Sequence, residues 1–73
     1  MSKHYYIADK IQPHGFVEVS ESEFLALAGD RDVRPYAWDV YRGVMPLDEV
    51  PEELREAVAA VVANRTERFG AWR

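Results

Sequence analysis

A chain of 73 residues with no cysteine holds one domain at most, and disulfide reinforcement, thiolate zinc sites and thiol chemistry are excluded. A formal net charge of −4 argues against the basic face that binding to phosphate backbones requires, so nucleic acid is not an expected partner. Hydrophobic residues make up 48% of the chain, with two Trp, four Tyr and three Phe; that composition argues for a folded core, although a domain this small buries only about 60% of the surface its unfolded chain exposes.

The N-terminal part reads as a hairpin. Tyr5, Tyr6 and Ile7 favour strand over His4–Ile11, and Phe16, Val17 and Val19 favour a second strand over Phe16–Val19. Between them Gln12-Pro13-His14-Gly15 places Pro second and Gly fourth, as a type I turn prefers. A lone hairpin is marginal in water, so its apolar face is expected to pack on helices. Ser20 followed three residues later by Glu23 is a capping box, with Ser22 as a rival cap. It predicts a short helix over about Glu21–Ala28, ending at Gly29.

Asp30 or Asp32 can cap a second helix over about Val33–Arg42, closed by Gly43, and Pro35 is tolerated only in its first turn. On a helical wheel Val33, Tyr36, Ala37, Val40 and Val44 share a face, with Tyr41 at its edge and Trp38 well off it. Leu47 and Val50 are expected to anchor the connection to the last element. That element spans Asp48–Gly70, the longest stretch with a single reading. Pro51 suits a first helical position, Glu52, Glu53 and Glu56 suit the positive end of the helix dipole, and Arg65 and Arg68 suit the other end. Leu54, Val58, Val61, Val62 and Phe69, with Ala57 among them, form an apolar stripe. Ala59, Ala60 and Ala63 form a second strip of small residues. Trp72 follows Gly70, and sequence leaves open whether it folds back.

Residues able to carry chemistry are few and unorganised. His4 and His14 could approach each other across the hairpin, with Asp9 or Glu18 nearby, but no zinc-ligand spacing exists. The carboxylates of Asp48–Glu56 read as a solvated helix start. Ser2, Ser20, Ser22 and Thr66 lie in no nucleophile motif, and the four glycines, at positions 15, 29, 43 and 70, close elements rather than cradle phosphate. Asn64-Arg65-Thr66 matches a glycosylation triplet inside a helix. The start carries no secretory signal pattern, and no segment approaches the roughly 18 apolar residues of a membrane span. The expectation is a soluble, cytoplasmic, non-enzymatic protein without metal or cofactor.

Three segments, Asp32–Tyr36 (DVRPY), Val40–Met45 (VYRGVM) and Leu47–Val58 (LDEVPEELREAV), resemble small hypothetical proteins of bacterial and prophage genomes, some near phage structural genes. The resemblance covers about a third of the chain, rests on helix caps and core spacing, and transfers no residue role. It implies a structural or assembly role.

These readings converge on a single α+β domain, residues 1–73, in the order β-β-α-α-α, with the hairpin and two short helices packed on the long C-terminal helix. The expected function is protein–protein interaction or assembly, with a protein partner or a second copy of the chain. The candidate surface is Trp38, Tyr41, Ala59, Ala60 and Ala63, Trp38 because Trp is enriched at binding hot spots. The rival reading is a nucleic-acid-linked regulator using Arg31, Arg34 and Arg42.

Overall fold

The computed structural model describes residues 3–9 and 15–72. Lys10 and Ile11 of the first expected strand, and Gln12, Pro13 and His14 of the expected turn, lie outside the described residues. Strand β1 (Tyr5–Asp9) pairs antiparallel with β2 (Gly15–Val19), Tyr5 opposite Val19 and Ile7 opposite Val17. Because side chains alternate across a strand, those four residues share one face. They pack on Phe24, Leu27 and Ala28 and on Phe69. The other face carries Glu18, whose carboxylate lies 2.7 Å from Nδ1 of His4, and the exposed rings of Tyr6 and Phe16.

Helix α1 (Glu21–Ala28) starts at the expected capping box. Ser20 Oγ accepts from the Glu23 backbone N–H at 3.2 Å, and the Glu23 carboxylate accepts from the Ser20 N–H at 3.1 Å. Those bonds, with Ser20 first and Arg68 next, hold the Glu23 carboxyl below its ordinary range. Helix α2 (Arg34–Tyr41) starts late, as Pro35 demands. Neither candidate caps the helix itself: the residue ahead of α2 is Val33, with no side-chain cap bond, and Asp30 Oδ1 instead accepts the backbone N–H of Asp32 and Val33 at 3.0 Å in the preceding turn.

On α2 the apolar face is Val33 and Ala37, with Tyr36 and Val40 beside them. Val44, expected on that face, is instead 64% exposed. The helix stops before Val44 can join the wheel: Gly43 takes a φ of +76°, and the N–H groups of Val44 and Met45 both turn back to the Asp39 carbonyl. Met45 packs against the core in its place. A single 3₁₀ turn, Leu47–Glu49, then leads to α3 (Glu52–Phe69). Val50 is buried and Leu47 packs against the same cluster, as an anchor should. Pro51 sits one residue ahead of the helix, in extended conformation, and its carbonyl accepts from Leu54.

Helix α3 organises everything else. Val58 and Val61 are buried against α2 and Val50, with Leu54 and Val62 flanking them, while Phe69 reaches the hairpin cluster. Two apolar clusters therefore share one helix. Ala57, expected within the stripe, is exposed, because it lies about 100° round the helix from Val58. The arrangement is the expected α+β order, with the long helix last. No helix among the described residues is long and apolar enough to cross a membrane.

Candidate functional site

The stripe on α3 contains one residue that is not apolar. Arg65 lies four positions after Val61 and four before Phe69, and is only 8% exposed. Its Nε donates to the carbonyl of Leu27 at 2.7 Å. One residue earlier, Asn64 Nδ2 donates to the carbonyl of Ala26 at 3.0 Å. The last carbonyls of α1, which no intrahelical N–H can reach, are thus closed by side chains of another helix. The guanidinium also meets the partial negative charge at that helix end.

Beyond Leu27 the Arg65 guanidinium lies over two neighbouring aromatic rings, whose centres are 6.3 Å apart. Its carbon lies 4.9 Å from the ring centre of Trp38 and 5.4 Å from that of Tyr41. Trp72 folds back and sets its edge against both rings, at 5.5 Å from Trp38 and 6.0 Å from Tyr41. The Tyr41 hydroxyl donates to the Gly70 carbonyl at 2.6 Å, fixing the end of α3 to α2. Burial pushes the Arg65 guanidinium below its ordinary range, and burial raises the Tyr41 phenol while Arg65 opposes that rise.

Trp38 and Arg65 form one end of an open groove of about 570 Å³ between the hairpin, α1 and α2. Its walls are apolar: Tyr6 and Ile7 from β1, Phe24 and Leu27 from α1, and Ala37 from α2. Three guanidiniums punctuate them, those of Arg31, Arg34 and Arg65. Arg34 lies 4.8 Å from the Phe24 ring centre, and its Nη2 donates to the Gly29 carbonyl at 3.2 Å. Among the described residues the lining includes no carboxylate, and none of the three arginines stands within ion-pair distance of one. In a chain of net charge −4, the groove gathers three of the nine Lys and Arg residues.

The expected surface residues are thereby divided. Trp38 is half-buried and lines the groove. Tyr41 is 8% exposed and belongs to the interior, a correction with a clear cause: at the edge of the α2 stripe it is covered by Arg65 and Trp72. Ala60 and Ala63 are exposed on α3 and Ala59 is half-buried, on the side turned away from Val58. They do not line the groove. The arginines named for the rival reading separate as well. Arg31 and Arg34 line the groove, whereas Arg42 pairs with Asp39 at 3.1 Å and lies over the Trp38 ring, 5.2 Å from its centre. Sequence reasoning missed Arg65, which it assigned to the helix dipole. The signal was its spacing, since it continues the interval of Val58, Val61 and Phe69.

Among the described residues no group of three or more His, Asp or Glu side chains is placed to hold a metal ion. Compared with family models, curated proteins and solved structures, the chain matches none.

Proposed function

We propose that the protein is a non-enzymatic protein–protein interaction module, and that its docking surface is the groove between the hairpin, α1 and α2. The observation that carries this reading is the composition of the groove: apolar walls, Trp38 at one end, and three arginines with no carboxylate beside them among the described residues. Apolar surface left open and rimmed by polar groups marks an interaction site. Trp and Arg are also the residues most enriched where binding energy concentrates. The assembly role implied by the resemblance to small prophage-encoded proteins fits a module of this kind.

Photo-crosslinking in the producing cell tests it. Benzoylphenylalanine is placed at Pro35, exposed on the groove rim, and separately at Ala60, exposed on the small-residue strip. The expected result is a protein adduct from the Pro35 position and none from Ala60. Adducts from Ala60 at twice the chain mass would move the interface to the alanine strip and make the partner a second copy. Adducts to nucleic acid from Pro35 would favour the regulator reading.

A further inference from the structure

The partner's chemistry follows from the groove, on the reading that the groove is the docking surface. We propose that it receives an acidic, amphipathic peptide segment of another protein, in which a bulky apolar side chain stands beside one or more Asp or Glu residues. The apolar side chain seats among Phe24, Leu27 and Trp38. The carboxylates meet Arg31 and Arg34 at the rim and Arg65 at the inner end.

Three observations converge on this occupant. The first is Arg65 itself. Its Nε is bonded to the Leu27 carbonyl and the residue is only 8% exposed, while its Nη groups make no hydrogen bond among the described residues and are not among the buried atoms without a partner. It borders the groove, and a guanidinium offers a carboxylate a bidentate contact. The second is charge. Arg31 and Arg34 add two further cations to a lining without a carboxylate, and clusters of this kind recognise acidic motifs. The third is shape. The groove is only partly enclosed and takes its lining from β1, α1, α2 and α3, a surface that a chain segment can lie across.

The chain's own acidic stretch, Asp48–Glu56, has Val50 buried and Leu54 packed against the core, so that stretch of a second copy is not the segment seated there. Nucleic acid fits less well than an acidic peptide, since three arginines in a chain of net charge −4 do not make the extended basic face that a phosphate backbone needs.

The test is a selection of random displayed peptides on the intact protein, with counter-selection on Arg31→Glu. Arg31 is exposed and makes no side-chain bond among the described residues, so that variant keeps the fold, as its thermal transition checks. Selected peptides are then titrated while Trp fluorescence is followed, because Trp38 lines the groove. The expected result is enrichment of sequences joining Asp or Glu to Leu, Phe or Trp, whose affinity falls roughly tenfold or more against Arg31→Glu or Arg34→Glu. The same loss is expected when their acids become Asn or Gln. Selected peptides that bind equally as amides overturn the acidic chemistry and leave the groove standing. Absence of enrichment, or tighter binding of dodecanoate or oligothymidylate than of any selected peptide, overturns the peptide occupant. Peptides whose bound state protects amides remote from the hairpin, α1 and α2 overturn the docking reading as well.

Discussion

Arg65 occupies a place on α3 where a leucine would satisfy the stripe, and its retention there needs a physical account. Desolvating a guanidinium costs several kcal/mol. Within the chain the offset comes from the Leu27 carbonyl, from the negative end of α1, and from two aromatic faces. Each desolvated cation–π contact contributes on the order of 1–2 kcal/mol. Tyr41 is half of that arrangement and carries a second duty, its bond to the Gly70 carbonyl. Tyr41→Phe keeps the ring against Arg65 and removes only the hydroxyl. It is expected to lower stability by about 1 kcal/mol in urea unfolding at neutral pH. The same variant has a pH signature. The folded chain raises the phenol above its ordinary value of 10.0, so the unfolded chain ionises first. That contribution is intact below pH 10.0 and is lost as pH rises through the raised value. Tyr41→Phe is therefore expected to flatten the alkaline decline, and an unchanged decline would assign it to other groups.

At the level of elements, α1 shows most clearly how a short helix is held. Eight residues are too few to be stable alone in water. Its start is closed by its own capping box, and its end by Gly29 together with Asn64 and Arg65. Gly29 takes a φ of +84°, and a Cβ built there would lie 2.7 Å from Val33 Cγ1 and 3.3 Å from Val61 Cγ2. Gly43 also has a positive φ, at +76°, but has open space around it, whereas the ψ of 172° at Gly29 lies outside the left-handed helical region. Gly43→Ala is thus expected to cost about 1 kcal/mol, the penalty of a left-handed non-glycine residue. Gly29→Ala adds displacement of Val33 and is expected to cost about 3 kcal/mol. Equal losses for the two variants in urea titrations would mean that the core yields freely at Val33. This contrast also marks what the sequence makes legible. Element order, the Ser20–Glu23 box and the glycine stops are local, so propensity and spacing reveal them. The closure of α1 by residues 38 positions away is not local, and neither is the groove, which gathers side chains from β1, α1, α2 and α3. Trp38 and the pair Arg31 and Arg34 were legible singly. That they join Arg65 in one groove depends on how the helices cross.

Across the whole molecule the two apolar clusters are unequal. The cluster of Val33, Ala37, Val50, Val58 and Val61 draws on α2, the 3₁₀ turn region and α3. The cluster of Ile7, Val19, Leu27 and Ala28 joins the hairpin to α1, with Phe69 as its tie to α3. A two-stranded sheet has little stability of its own, and contiguous units with few attachments open below the global unfolding free energy. The hairpin is such a unit here. Native-state hydrogen exchange on Ile7→Ala tests this, since truncating a buried Ile removes roughly 2–5 kcal/mol of packing. Protection is expected to fall for the amides of β1 and β2 while those at Val58 and Val61 hold. Val58→Ala should instead lower protection throughout, because Val58 lies in the cluster through which α3 holds α2. An equal fall at Val58 and Val61 in the Ile7 variant would make the chain a single cooperative unit. The distinction bears on binding, since Tyr6 and Ile7 form one wall of the groove. If the hairpin opens separately, that wall can part from α1 and α2 while the arginines of the opposite wall stay in place. A segment could then enter sideways, and Ile7→Ala would speed both its entry and its release.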